Sequence, residues 1–307
     1  IRPNALELVA DGIDQNCDGT DAQKQVAGQH EYHYCGINPS GHVKCWEGSE
    51  WGSTVWNVYY GDSGQITHPE GNYLQVAVGA DFSCALDTSN DIECWGSIDQ
   101  KFEGDYVQIA TSDDSICGLT SDGDILCSGT GHPKNEDANG PYHQVEQSQY
   151  TTCGLRSNGE INCWGDSNYI HPLLGTNYRQ IALGKEHLCA LTDMGVIECN
   201  AENNYNELNY PSGSGYTQIT SSKSQRKICA LHESGVVDCW GESHAFPLGL
   251  YQYITPNCGI TVDGATVCVD DMGTEFLVDV DGDGDDVLND CNDNHPLINN
   301  FDEDGDG

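Results

Sequence analysis

Fourteen of the 16 cysteines fall into seven pairs, the two members of each pair being separated by nine residues. The pairs are Cys35 and Cys45, Cys84 and Cys94, Cys117 and Cys127, Cys153 and Cys163, Cys189 and Cys199, Cys229 and Cys239, and Cys258 and Cys268. Six of them carry a glycine six residues after the first cysteine, at Gly41, Gly123, Gly159, Gly195, Gly235 and Gly264, and the second pair carries Asn90 there. Glycine and asparagine tolerate positive φ, and a three-residue hairpin loop wants such a residue at that place. Each pair therefore brackets a β-hairpin, with its cysteines about opposite each other on antiparallel strands. Cβ atoms so placed come within about 4.5–5.5 Å, near disulfide geometry. Seven cross-strand bridges are expected, each closing a loop of about ten residues and stabilising by roughly 2–3 kcal/mol, mostly through the unfolded chain.

A second phrase precedes five hairpins, an aromatic, a spacer, Gln and a β-branched residue: Tyr73-Leu-Gln-Val, Tyr106-Val-Gln-Ile, Tyr142-His-Gln-Val, Tyr178-Arg-Gln-Ile and Tyr216-Thr-Gln-Ile. A shorter strand is expected there. Three hairpins end in Cys-Trp-Gly, at Trp95, Trp164 and Trp240, and a fourth reads Cys45-Trp46. A ring at that place is expected to pack between neighbouring units.

The whole unit, recurring about every 33 to 40 residues through the middle of the chain, strongly resembles the regulator-of-chromosome-condensation repeat. The resemblance covers about residues 24 to 270 and implies an all-β fold, a seven-bladed β-propeller. In bacterial relatives, which this chain resembles, the hairpin often carries such a cysteine pair. The pattern is broken where Ser128, Asn200 and Val269 stand in place of Trp, by an insertion from Glu47 to Asn72, and by the short lead-in that starts at Tyr251. The insertion is the segment expected to project from the ring.

Lys and Arg total 11 against 49 Asp and Glu, a formal net charge of -38. Such a charge repels nucleic acid and anionic membrane surfaces and leaves cationic partners, above all divalent metal ions. No apolar stretch approaches the roughly 18 residues that would span a bilayer. Sixteen cysteines in paired spacing point to an oxidising compartment, hence a secreted or cell-surface protein. A start at Ile1 reads as a mature product or a piece of something longer.

The charge concentrates at the ends. From Asp279 to Asp290 the chain places carboxylates at the first, third, fifth, seventh and twelfth positions of a loop, as Asp279, Asp281, Asp283, Asp285 and Asp290, with Gly284 at the sixth. That is an EF-hand-like spacing, with Asp in place of the usual final Glu. Ca²⁺ is a hard ion that takes six to eight oxygens, and a tight glycine turn lets alternate carboxylates converge on it. A second loop begins at Asp302, Asp304 and Asp306. Three regions are expected: a metal-binding half-motif over 1–23, the propeller over 24–271, and a calcium-binding segment over 272–307.

The N-terminal stretch, with Asp11, Asp14, Cys17 and Asp18, is similar to the second half of a Cys- and Asp-rich metal-binding motif repeated in bacterial surface proteins. The first half of that motif, an Asp-rich loop ending in Asp-Cys-Asn-Asp, resembles the stretch up to Asp290-Cys291-Asn292-Asp293. In that family the halves are contiguous and their cysteines pair, which implies Cys17 with Cys291. The halves could meet within one chain, between successive copies, or with a continuation of the polypeptide.

Catalytic signatures are lacking. Gly61-Asp-Ser-Gly64 resembles a trypsin-like nucleophile segment, but Gln65 follows and no matching His segment precedes it. The 11 histidines are scattered, without His-Glu-x-x-His, and no phosphate or dinucleotide loop is present. The sequence reads as an extracellular, non-catalytic, calcium-binding adhesive or structural module, able to chain with further copies of itself or with another surface protein. The alternative is a secreted propeller that binds or inhibits another protein through its loop face. The nucleotide-exchange and chromatin role of nuclear relatives is disfavoured by the disulfides and the charge.

Overall fold

The computed structural model describes residues 25–277 apart from 31–32, 38–40, 48–63, 65, 68, 130–139, 167–172, 224–225, 242–245, 263–265 and 270–274. The described strands form seven antiparallel sheets, five of three strands and two of four. Each sheet is built from consecutive strands, so each is one blade: blade 1 (25–47), blade 2 (73–102), blade 3 (106–129), blade 4 (142–165), blade 5 (178–201), blade 6 (216–241) and blade 7 (251–277). The first strand of each blade lies against the first strand of the next, and blade 1 also touches blade 7 through Gln25–His30 and Cys258–Thr261. The blades thus close into a ring, the expected seven-bladed propeller.

All seven cysteine pairs are bridged. In every blade the two cysteines are direct register partners on the second and third strands. Their Cα atoms stand 4.0–4.1 Å apart, close to the narrow, non-hydrogen-bonded pairing of an antiparallel ladder. In blades 1 to 6 the turn residue between them takes positive φ, at 83° for Gly41 and 66° for Asn90. The turn also does something its local chemistry does not announce. The carbonyl of Gly41 accepts the N–H of Tyr73 at 2.7 Å, and Asn90, Gly123, Gly195 and Gly235 accept in the same way from Tyr106, Tyr142, Tyr216 and Tyr251. A Cβ on Gly123 would stand 2.8 Å from the Gly140 carbonyl. The hairpin tip of one blade is therefore tied to the start of the next.

The recurring Gln supplies a second tie between blades. Gln75 Nε2 donates to the carbonyl of Ile109 at 3.0 Å, and the N–H of Ile109 donates to Gln75 Oε1 at 2.7 Å. Gln108 clasps Val145 in the same two-way fashion, Gln144 clasps Ile181, and Gln218 clasps Ile254. Gln180 accepts from the N–H of Ile219. A primary amide carries one donor face and one acceptor face, so it replaces a missing strand partner for the neighbouring blade.

The tryptophans pack between blades, as their recurrence suggests. Trp95 is buried with Cys35, Ile37 and Val43 of blade 1, Trp164 lies against the core shared by blades 3 and 4, and Trp240 lies with Ile197 of blade 5. In blade 3, where Ser128 replaces Trp, the outer strand from Leu126 to Gly129 is exposed.

Strand direction defines two faces. First strands begin at the face that carries the hairpin tips and end at the opposite face, where tight turns lead into the second strands. Blade 1 follows the same rule, so Gln25 lies at the tip face. In blade 7 a fourth strand, Glu275–Leu277, runs antiparallel to Thr266–Val269 with Leu277 opposite Val267, and so it heads back to the tip face. Both ends of the propeller emerge on one face, from adjacent blades.

Candidate functional site

The expected metal ligands Asp11, Asp14, Asp18, Asp279, Asp281, Asp283, Asp285, Asp290, Asp293, Asp302, Asp304 and Asp306 lie outside the described residues, as do Cys17 and Cys291. What the structure gives is the place from which those segments depart, residues 25 and 277 on the tip face. Among the described residues no group of three or more His, Cys, Asp or Glu is arranged to hold a metal ion. Of the Gly61-Asp-Ser-Gly64 stretch only Gly64 is described.

The tip face is uneven. In blades 2, 3 and 4 the tips are Thr88-Ser89-Asn90, Ser121-Asp122-Gly123 and Ser157-Asn158-Gly159. They are knit by polar contacts, such as Asn90 Nδ2 to Asp105 Oδ1 at 3.0 Å and Ser121 Oγ to Asp105 Oδ2 at 2.6 Å. These two bonds hold the Asp105 carboxyl below its ordinary range, the bond from Ser121 contributing more. Blades 5 to 7 instead present Met194, Val236, Leu248, Leu250 and Val262 to solvent, Leu248 being 100% exposed.

At the opposite face the axis of the ring is crossed by one side chain. The turn after the first strand of blade 6 is longer than its counterparts: seven residues separate Ser221 from Cys229, against five between Thr111 and Cys117. The longer turn lets Lys223 reach across to blade 3, where its ammonium donates to the carbonyl of Thr111. Lys223 is buried, and desolvation pushes its pKa down to about 8 against the opposing pull of Glu146 and Asp113. Glu146, on the first strand of blade 4, stands where blades 2, 3 and 5 carry Ala77, Ala110 and Ala182. Burial raises its carboxyl pKa, while Lys223 and a hydrogen bond from Gln144 pull the other way. Two departures from the repeat, an enlarged turn and an acid in place of alanine, thus meet near the axis. Neither belongs to a recognisable motif, and in the sequence the longer turn shows only as a greater count from Gln to Cys in blade 6 than in the other blades.

Buried polar groups line the same face. His33 Nε2 meets Ser83 Oγ at 2.7 Å between blades 1 and 2, and His187 meets Ser221 between blades 5 and 6. Arg226 forms a two-pronged ion pair with Glu186, at 2.8 and 3.1 Å, and lies over the Tyr205 ring at 4.1 Å. Each of these contacts joins one blade or loop to another, which is the behaviour of structural fasteners.

Known proteins agree with this architecture. Residues 142–169 match the family model described as "Regulator of chromosome condensation (RCC1) repeat". Residues 1–22 and 290–303 match a model named Cu-binding MopE, described as "Putative metal-binding motif". No curated protein matches the chain in sequence. Among solved structures, the ectodomain of the Physcomitrella patens receptor kinase CR4 is 18% identical, with 81% of this chain and 73% of that one covered and a TM-score of 0.63. The CRINKLY WD40 ectodomain of the Arabidopsis thaliana receptor kinase ACR4 is 19% identical, with 75% and 84% covered and a TM-score of 0.55. Yeast RCC1 (Prp20), solved with Kap60, is 14% identical, with 71% and 69% covered and a TM-score of 0.54.

The chain is therefore a disulfide-bridged, seven-bladed β-propeller, one blade of which, over 142–169, matches the regulator-of-chromosome-condensation repeat. Stretches at both termini match the same putative metal-binding motif. No helix among the described residues is long and apolar enough to cross a membrane.

Proposed function

We propose that the chain is an extracellular, non-catalytic structural or adhesive module whose acidic ends bind calcium, and that the two ends join copies head to tail. The observation that supports this reading is that stretches at both termini match one putative metal-binding motif, together with strand directions that bring residues 25 and 277 out on the same face. A contact made by the C-terminal portion of one copy with the N-terminal portion of the next is heterologous, the type that builds rings or open filaments.

The matched family carries copper in its name, but the donors here favour a harder ion. Asp11, Asp14 and Asp18 at one end and Asp279, Asp281, Asp283, Asp285, Asp290, Asp293, Asp302, Asp304 and Asp306 at the other offer carboxylate oxygens, which suit calcium, whereas copper prefers imidazole and soft sulfur. Seven bridges accord with an oxidising compartment such as the cell exterior.

Light scattering at millimolar calcium tests assembly, and the reading expects particles larger than one chain that disperse on chelation. Non-reducing peptide mapping of the same sample tells whether Cys17 and Cys291 are joined within or between molecules. Monomers throughout, with Cys17 bonded to Cys291 of its own chain, would remove head-to-tail joining. Calorimetric titration with calcium and with copper separates the two ions.

A further inference from the structure

The apolar side of the tip face has a neighbour in the chain itself. Three of its residues come together: the Leu250 Cβ lies 3.3 Å from the point where a Cβ on Gly235 would stand, next to Val236, and the Leu250 carbonyl accepts the N–H of Val262 at 3.0 Å. Exposed apolar side chains gathered in one place mark a surface that something covers. The path of blade 7 indicates what. Val262 sits at the blade's tip, just before the strand Thr266–Val269, and the antiparallel strand Glu275–Leu277 returns along it to Leu277 opposite Val267. Leu277, the last described residue, thus stands on the tip face in the same blade as Val262.

That polypeptide has the complementary chemistry in part. Residues 278–307 include Val287-Leu288 and Pro296-Leu297-Ile298, two short apolar groups, amid 11 Asp and Glu and no Lys or Arg. On a molecule of net charge -38, so acidic a segment is repelled by the body it is attached to. Bound divalent cations would cancel much of that charge at its source and leave the apolar groups free to find a partner. Tethering places that partner at an effective concentration on the order of millimolar.

We propose that residues 278–307, once their carboxylates hold a divalent cation, seat their apolar groups on Leu248, Leu250 and Val262 of the same molecule. This rests on the metal-binding reading above and adds the surface that receives the loaded segment. The patch is then a metal-dependent docking site, open without the ion and covered with it.

Hydrogen–deuterium exchange on the full chain, with and without millimolar calcium, tests it alongside calcium calorimetry. In the unsubstituted protein calcium should slow exchange tenfold or more both in 278–307 and in peptides spanning 246–251 and 262. In a Leu248→Asp, Leu250→Asp variant, calcium should still bind and still slow 278–307, while the propeller peptides keep their calcium-free rate. Both substituted side chains are exposed, so the ring and its seven bridges should survive, which a non-reducing map verifies. Calcium uptake without slowing at 246–251 would overturn the docking and leave the metal reading standing. No uptake in calorimetry would overturn the metal reading itself, and the docking with it. Slowing that fades on dilution, or that needs a second protein, would assign the patch to another molecule and overturn the proposal.

Discussion

The recurring Gln of blades 2 to 6 illustrates how much rests on single side chains. Read along the chain, Gln144 is an ordinary polar residue two places after a tyrosine, and nothing near it in sequence explains it. Its partner is Ile181, 37 residues on, so its role is invisible until blades are laid side by side. Replacing Gln144 with Met keeps the volume but leaves a backbone N–H and C=O of blade 5 without these bonds. The expected loss is about 1–3 kcal/mol, read as a lower midpoint in guanidinium denaturation under non-reducing conditions. Lys223 and Glu146 give a coupled case. Lys223→Met alone strands the Glu146 carboxylate near the axis, and the expected loss is about 2 kcal/mol, less than for a wholly buried pair because Glu146 keeps some contact with water. Adding Glu146→Ala, which restores the alanine of blades 2, 3 and 5, should recover most of that loss. The pair also sets a pH dependence. A lysine pushed down to about 8 binds fewer protons in the folded state than in the unfolded state, whose lysine titrates near about 10.4. Stability should therefore rise as pH climbs from about 8 toward 10, and the rise should vanish in Lys223→Met. Above that window the phenols of Tyr178 and Tyr216, pushed up to about 12 by burial and by Glu198 and Asp238, work in the opposite sense. Thermal melts across this range check both signs.

At the level of the hairpin, sequence and structure agree because the determinants are local. A positive-φ residue six places after the first cysteine and four before the second, with a β-branched flank, suffices to define the turn, the register and the bridge, and the hairpins of blades 1 to 6 follow that rule. The first strand is harder to read, since its Tyr and Gln act on the next blade, and the long turn of blade 6 shows only as a change in spacing. The acidic segments are legible as chemistry but not as shape, because carboxylate spacing names a candidate ligand set without fixing a backbone path. Exposure separates the bridges from one another. Cys127 is solvent-exposed where Ser128 stands in for Trp, whereas both sulfurs of Cys84–Cys94 and of Cys258–Cys268 are buried. Thiolate attack needs access to a sulfur. Limited reduction followed by alkylation and peptide mapping should find Cys117 and Cys127 labelled first, and those two buried pairs last.

For the molecule as a whole, the body and the ends should respond differently to metal. The ring is held by bridges, clasps and buried apolar side chains that need no ion, while the termini are dominated by like charge. Chelation should therefore raise protease cleavage within 1–24 and 278–307 at least severalfold and shift the melting of residues 25–277 little, as limited proteolysis and calorimetry would register. Equal loss of resistance in both regions would contradict this division of labour.

Each blade is contiguous in the polypeptide, and the ring closes where its first and last blades touch. A molecule tugged by its two termini would feel the load at that seam, and blades would peel away in succession from either side. The cysteine staples would keep each detached hairpin from paying out its loop. Extension would then come as a series of short, recoverable steps, a shock-absorbing response that optical tweezers could resolve as a sawtooth lengthened by reductant.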